Sequence, residues 1–556
     1  MNTTVDELVF VPLGGLGEIG MNAALYGIGP KSRRKWLMID CGVTFAGPDL
    51  PGIDLIVPDI SFIHKIRRDL VGLIITHAHE DHIGAVADLW PKLGCEVYAT
   101  PFAAGLLETK RLAEPGAPQV PLKVVGQGGM VDIGPFSVEF IAVAHSIPEA
   151  CALAIRTSAG TVLHTGDWKI DPTPVMGRPT DEARLREIGD EGVLALVSDS
   201  TNILRDGISP SETDVAATLA ELIAAAPNRV MVTTFASNVG RIKAVAQAAA
   251  KCGRSVLIAG RALERAVAVA RECGLLDHVA PFLPADLFRN MARDKVVIVA
   301  TGSQGEPRAA MARIAEGIHP DLTLAPGDQV IFSSRPIPGN EKGINNVING
   351  LIDQGVQVIT DRQALVHVSG HPRRSEVAQM YDWVRPQIAI PAHGEALHLG
   401  EHARFARERG VPHVLNAHNG DMVLLAPGTP AVIDQVPHGR LLKDGNVLVP
   451  MQDEAIRARI KLANAGVVTV AFALDGKGQL AGDPDVLMAG LPAKTKDGEA
   501  MDALVDEAIF RTLDNQRRAR RRDTDATALA VERAVRSAVG QAWGKKPTVH
   551  VLVVEV

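Results

Sequence analysis

The sequence predicts a multidomain α/β protein: a sheet-on-sheet α/β core with helices outside, a parallel α/β domain inserted into it, and a small α+β domain at the end. Three observations carry this reading. The chain has 556 residues, more than one hydrophobic core usually supports, so two or three domains are expected. Up to about Asp199, short β-like runs alternate with Gly and Pro turns. From Thr213 to Asp361 the texture shifts to alanine-rich helices alternating with single strands, and then the first texture returns, as when one domain interrupts another.

In the first part, runs rich in β-branched and aromatic residues, bounded by turn residues, place strands at 7–13, 36–40, 71–76, 97–99, 137–143, 161–164 and 194–198, with a helix over 60–68. In the inserted part the strands are 229–234, 255–259, 295–300, 329–333 and 357–360, each separated by helical sequence, which is the pattern of a parallel sheet. Strand 388–390 resumes the first domain. Residues 428–453 read as connecting segment and turns. Beyond them lie strands near 460–474, helices around 501–518 and 527–539, and a closing strand at 548–554.

Apolar residues make up 46% and charged residues 22% of the chain, the composition of a globular protein, which excludes wholesale disorder. No apolar run approaches the ~18 residues of a membrane span. The start, with Asp6 and Glu7 and no basic stretch, is no signal peptide, so the expected compartment is the cytoplasm. Five cysteines, Cys41, Cys95, Cys151, Cys252 and Cys273, are odd in number and dispersed, and signal buried thiols rather than a disulfide framework. The net charge of −7 argues against a protein that coats nucleic acid non-specifically, while leaving room for a local basic channel.

The chemistry is concentrated in Thr76-His77-Ala78-His79-Glu80-Asp81-His82, directly after the apolar run 71–75. A lone His-x-His is usually solvated. Three histidines and a carboxylate in this order, between a strand and the helix-like 83–90, point instead to a transition-metal site. With two ions about 3.5–4 Å apart, His77 and His79 face one, and Asp81 and His82 the other.

Gly15-Leu16-Gly17-Glu18-Ile19-Gly20 spells a rival G-x-G-x-x-G motif, and Asp40 ends the next strand twenty residues on, as a dinucleotide site requires. That fingerprint needs a helix starting inside the glycines. Here 21–26 is brief, Gly27, Gly29 and Pro30 break it, and a hairpin strand fits better.

Ligands gathered on one sheet edge must come from several strand ends. His145 follows the run 140–144, Asp167 follows 161–166, where a glycine lets the backbone come close to an ion, and His393 follows 388–390. Together they supply His145 for the first ion, Asp167 as a bridging carboxylate and His393 for the second.

In the order His-x-His-x-Asp-His, His, Asp, His, these residues resemble the metallo-β-lactamase superfamily. Further motifs resemble its β-CASP nuclease branch and most closely the ribonuclease J family: the opening Pro12-Leu13-Gly14-Gly15-Leu16-Gly17-Glu18-Ile19-Gly20, Asp199 in Ser198-Asp199-Ser200-Thr201-Asn202, His367-Val368-Ser369-Gly370-His371, and Pro391-Ala392-His393-Gly394-Glu395. Thr234-Phe235-Ala236-Ser237-Asn238 and Ser333-Ser334-Arg335-Pro336-Ile337-Pro338-Gly339-Asn340-Glu341 are also similar to that family. The likeness covers residues 8–420, and the region after His438 carries no matching motif.

The resemblance implies a metallo-β-lactamase αββα sandwich with an inserted β-CASP domain and a small α+β C-terminal domain. The expected bounds are 1–205 and 363–428 for the sandwich, 206–362 for the insertion, 429–455 for a linker and 456–556 for the terminal domain. It implies a metal-dependent ribonuclease, a 5′-to-3′ exonuclease favouring 5′-monophosphate ends with added endonuclease activity, serving mRNA decay and rRNA maturation. Zinc suits the imidazole-rich set, with manganese or magnesium as alternatives. His371 is the expected general acid, Asp199 holds a ligand or histidine in place, and Asp81 serves both catalysis and metal binding. Ser237, Asn238, His367, Val368, Ser369, Gly370 and His371 are expected to hold the 5′-monophosphate of RNA. A homodimer or homotetramer and other RNA-decay proteins are the expected partners.

Two rivals stand beside this. A DNA-directed β-CASP nuclease commonly departs from the His393 pattern, and a non-catalytic RNA-binding subunit loses ligands, whereas all seven ligand positions are filled here. The basic run Arg517-Arg518-Ala519-Arg520-Arg521-Arg522 reads first as a solvated helix end and second as an RNA contact.

Overall fold

The computed structural model describes residues 6–113, 116–337, 339–517 and 521–556. The chain forms two compact units, one from the start to Phe45 together with Ile56–Arg440, the other from Ala46–Leu55 together with Leu441–Val556.

Two large sheets form the heart of the first unit. One has eight strands, in the order Ala431–Gln435, Asp421–Ala426, Glu7–Gly14, Ala23–Gly29, Lys35–Ile39, Leu70–Ile74, Val97–Ala99 and Leu122–Val124. The other has seven: Met130–Ile133, Phe136–Ala142, Cys151–Thr157, Gly160–His164, Ala195–Asp199, Ile388–Ala392 and His413–Val414. Their apolar faces meet in one core, with Leu8, Phe10, Tyr26, Leu37 and Ile74 from the first sheet against Val138, Phe140, Leu153, Val162, Val197 and Ile390 from the second. The outer face of the second sheet is covered by helices Glu182–Glu191, Arg374–Val384 and Ala396–Glu408 through Leu185, Ile188, Met380, Trp383 and Phe405. Both faces of the central strands are therefore buried, which is why they read as continuous apolar runs rather than alternating ones. Strand Glu7–Gly14, buried from Leu8 onward, is the clearest case.

The inserted part has a five-stranded, fully parallel sheet in the order Ser255–Ala259, Val296–Ala300, Val230–Thr233, Gln329–Phe332 and Gln357–Ile359. Its strands lie where the sequence places them, because each is a short Val- and Ile-rich run between helices. Helix Glu212–Ala225 starts at a capping box of Ser211 with Asp214.

In the second unit, strand Val467–Leu474 lies between Asp485–Ala489 and Thr548–Glu555. Met501, Val505, Ile509 and Leu513 on one helix, and Thr527, Val531, Val535 and Val539 on another, are spaced four apart and face the alternately buried Val468, Val470, Phe472 and Leu474.

Three expectations need correction. The stretch read as linker over 429–455 contains strands Ala431–Gln435, Arg440–Asp444 and Val447–Pro450. Their Val432, Ile433 and Val447 are 43–55% exposed, so the buried alternation that marks a strand is missing. Residues 460–465, expected as strand, belong to helix Glu454–Ala465, capped by the Asp453 side chain and ended at Gly466. Strand Cys151–Thr157 was not expected, its small alanines giving a weak pattern. Of the basic run, residues 518–520 lie outside the described residues. The glycine motif opens no helix. The next element is strand Ala23–Gly29, a hairpin partner of Glu7–Gly14, and the dinucleotide reading is gone. Among the described residues no helix is long and apolar enough to cross a membrane.

Candidate metal centre

Parallel neighbours end on the same sheet edge, so side chains just beyond their carboxyl ends converge. Lys35–Ile39 and Leu70–Ile74 run parallel, and Asp40 and the loop carrying His77, His79, Asp81 and His82 follow them. Gly160–His164, Ala195–Asp199 and Ile388–Ala392 also run parallel, and deliver Asp167, Asp199 and His393. His145 follows strand Phe136–Ala142.

The histidine loop is pinned rather than free. Cys41 N–H donates to His82 O at 2.7 Å, Val43 N–H to Glu80 O at 3.0 Å, and Asn22 N–H to Asp81 O at 2.8 Å. Gly42 makes this approach possible, since a Cβ there would lie 1.7 Å from Asp81 O. Gly370 does the same for His145, where a Cβ would lie 2.5 Å from Nδ1.

All seven expected ligands come together in two clusters that share one carboxylate. His77, His79, His145 and Asp167 offer ligand atoms within 4.8 Å of one another, and so do Asp81, His82, Asp167 and His393. The division between the clusters is the one the spacing suggests. Hydrogen bonds fix the tautomers. His145 Nδ1 lies 2.7 Å from Gly370 O, and a carbonyl only accepts, so Nδ1 carries the proton and the Nε2 lone pair points inward, 3.0 Å from His79 Nδ1. His82 Nδ1 donates to Asp40 Oδ2 at 2.7 Å, turning its Nε2 toward Asp167 Oδ2 at 3.2 Å. The Thr76 hydroxyl gives its proton to Asp40 Oδ2 at 2.8 Å and so accepts from His77 Nδ1 at 3.1 Å, which leaves His77 Nε2 facing His79 Nδ1 at 3.2 Å.

Lone pairs of several imidazoles aimed at one point repel unless a cation lies between them. His393 Nε2, buried and without a hydrogen-bond partner among the described residues, adds a further unsatisfied ligand atom. The residues fit divalent metal ions.

Electrostatics agrees. Burial first, then neighbouring histidines, push His77 and His79 well below the usual imidazole range, and burial takes His145 to about 4, so all three are neutral at pH 7, the state in which an imidazole can bind a metal. Burial opposes charge on His82, but Asp167, Asp40 and Asp81 outweigh it and raise the group. For Asp167 too burial works against the charge, and His393, His82 and His371 overcome it and hold the carboxyl well below its usual range.

Beside the clusters, His371 Nδ1 lies 2.7 Å from Asp199 Oδ2 and 3.9 Å from Asp167 Oδ2, with 20% of its side chain exposed. Burial lowers His371, yet the charges of Asp199 and Asp167 lift it to about 9. Of the residues expected at the 5′-phosphate, Ser369 and Gly370 directly precede His371, whose N–H donates to Ser369 Oγ at 3.3 Å. Ser369 Oγ accepts from Asn202 Nδ2 at 2.9 Å, and Gly370 gives its carbonyl to His145. Val368 is buried, so only its backbone is available. His367 Nδ1 is buried and has no hydrogen-bond partner among the described residues. Asn238 caps helix Val239–Lys251, its Oδ1 accepting from Arg241 N at 2.9 Å, and Ser237 is half-buried beside it. Fully buried Arg241 ties the two loops together by donating to Ser333 Oγ and, at 2.9 Å, to Val366 O, while pairing with Glu212 at 2.7 Å.

Sequence reasoning missed Asp40, Thr76 and Asn22. Asn22 Nδ2 lies 3.2 Å from Asp81 O and 3.0 Å from His82 Nε2. Asp40 drew notice only as the acidic residue of the glycine motif. Its place at a strand end was the usable signal, and there it orients a histidine.

Comparison with known proteins follows the same lines. The model of the metallo-beta-lactamase superfamily matches residues 22–229, the ribonuclease J beta-CASP domain 227–351, the Zn-dependent metallo-hydrolase RNA specificity domain 355–415 and the ribonuclease J C-terminal domain 454–556. A ribonuclease J of Sinorhizobium meliloti is 54% identical over 551 residues, covering 99% of this chain and 98% of the relative. One from Mycolicibacterium smegmatis is 37% identical, over 98% and 96%. A crystal structure of a protein of unknown function from Enterococcus faecalis superposes with a TM-score of 0.52 at 16% identity, over 75% of this chain and 100% of that one, a likeness of fold alone. With relatives of this identity along its whole length and four models in matching order, the chain belongs to the ribonuclease J family.

Proposed function

We propose that this chain is a metal-dependent ribonuclease that hydrolyses RNA phosphodiesters with two divalent ions, zinc by preference. In this reading it degrades RNA from 5′-monophosphate ends toward the 3′ end and also cuts internally, acts in mRNA decay and rRNA maturation in the cytoplasm, and works as a homodimer or homotetramer. The single observation that carries it is the pair of His/Asp clusters sharing Asp167.

His77, His79 and His145 would hold one ion, Asp81, His82 and His393 the other, with Asp167 common to both. When bound, such ions supply Lewis acidity, lowering the pKa of water and offsetting charge on phosphoryl oxygens. Asp40 keeps His82 in the ligating tautomer, a support of the kind whose loss costs about 10–100-fold in metal affinity. His371, charged because Asp199 faces its Nδ1, has Nε2 left to protonate the departing 3′ oxygen. The products then carry 5′-phosphate and 3′-hydroxyl ends. Backbone N–H groups of 368–370, with Ser369, Ser237, Asn238 and His367, receive the terminal phosphate.

The test uses 5′-end-labelled RNA and DNA carrying monophosphate, triphosphate or hydroxyl ends, with and without chelator. Release of labelled mononucleotide, fastest from monophosphorylated RNA and abolished by chelator, is the expected result. Chelator-insensitive cleavage, or equal rates on RNA and DNA, overturns the proposal.

A further inference from the structure

Asp199, His371 and His393 belong to three segments far apart in the chain, and each segment sends a polar side chain to one buried point. Ser200 follows Asp199 directly. Tyr381 lies on helix Arg374–Val384, the helix after His371, and His402 on helix Ala396–Glu408, the helix after His393. Ser200 Oγ lies 2.8 Å from His402 Nδ1, and the Tyr381 hydroxyl 2.9 Å from His402 Nε2. Ser200 and His402 are fully buried and Tyr381 nearly so. None of the three belongs to the ligand clusters, and the proposed chemistry leaves them without a role.

The contacts are satisfied in one consistent sense. With the Ser200 O–H directed at Ser198 O, 3.5 Å away, its oxygen accepts from His402 Nδ1, and His402 Nε2 accepts the Tyr381 hydroxyl proton. Burial takes His402 to about 4 against the pull of Asp199, so the ring is neutral at pH 7 and donates on one side while accepting on the other. A buried imidazole left unpartnered is costly, so the network closes only when all three segments are in place.

Short bonds run from the network to the reacting groups. Thr201, next to Ser200, donates its N–H to Asp199 Oδ1 at 2.8 Å and its hydroxyl to His393 O at 3.0 Å. With Oδ1 so held, Asp199 Oδ2 faces His371 Nδ1 at 2.7 Å. Asn202 Nδ2 donates to His371 O at 3.1 Å. Gly394 lets Ser200 come close, since a Cβ there would lie 3.3 Å from Ser200 Cβ and 2.8 Å from His398 Cβ.

We propose that His402, with Ser200 and Tyr381, is a positioning residue: the buried network holds Asp199 in the orientation that faces His371, and so aims the acid without touching substrate or metal. This deepens the ribonuclease reading and rests on it for the role of His371.

The test compares the wild type, H402L, H402Q and Y381F on RNA with ordinary linkages and on RNA in which sulfur replaces the departing 3′ oxygen. A thiolate leaves without needing a proton, so that substrate bypasses His371. On ordinary RNA, H402L should lower kcat by about 10–100-fold, the scale of a small misplacement of a reacting group, with KM unchanged. The sulfur substrate should be cleaved at close to the wild-type rate, metal content should not change, and H402Q, which keeps a donor and an acceptor, should recover part of the loss. In H402L, amide hydrogen exchange read by mass spectrometry should rise over 198–203 and 369–374 and stay unchanged over 77–82. Equal losses on both substrates, loss of metal, or unchanged exchange over 198–203 overturn the proposal. If H402L does not fold, Y381F, which removes a single hydroxyl, carries the same comparison. A wild type that cleaves no RNA rejects the ribonuclease reading, and the exchange pattern then decides the network by itself.

Discussion

His371 shows how one contact can separate chemistry from metal binding. It touches Asp199 and stands outside both four-residue ligand clusters, forming only a three-residue group with Asp167 and Asp199. His371→Ala is therefore expected to lower turnover by about 10²–10⁴-fold while zinc content stays at the wild-type level, and loss of zinc in that variant would contradict the assignment. The same pair sets a pH dependence. In the metal-stripped protein His371 titrates at about 9, above the roughly 6.5 of an unfolded chain. Its ion pair thus contributes stability that is full below about pH 6.5 and is lost as pH rises through the folded value. Asp199→Asn removes the main opposing charge and leaves burial to dominate, so the group should fall. An NMR titration of the histidine ring checks both, and a wild-type value below 6.5 would reject the pairing.

At the scale of elements, close backbone approach decides the geometry. Gly42→Ala has no room beside Asp81 O, so the histidine loop must shift. A loss of about 1–3 kcal/mol in unfolding free energy together with loss of bound metal is expected, and a variant with wild-type stability and metal content would show that the loop is not pinned there. Elements of this kind differ in how far the sequence reveals them. The central strands are legible because burial on both faces writes them as apolar runs, and the ligand residues are legible because metal chemistry restricts them to His and Asp at strand ends. The strands within 431–450 are hidden by half-exposed edges, and Cys151–Thr157 by its alanines. Asn22 is hidden for a different reason, since a single Asn beside a histidine has no spacing to betray it, while Asp40 is marked only by its place at a strand end.

Across the whole molecule, the fold is the device that gathers the candidate ligands from His77 to His393. Two sheets packed face to face end their parallel strands along one edge, and the inserted part leaves after Asp199 and returns before His371, so that residues far apart in the chain come together beside Asp167. No local segment holds the site alone, and its two clusters depend on each other through Asp167. The most direct test is the number of divalent metal ions per chain, measured by mass spectrometry of the elements in wild type, His145→Ala and His393→Ala purified alike. Two ions in the wild type and about one in each variant is the predicted result. Wild-type protein with none, or variants that keep the full complement, would contradict the two-cluster centre on which the proposed chemistry stands.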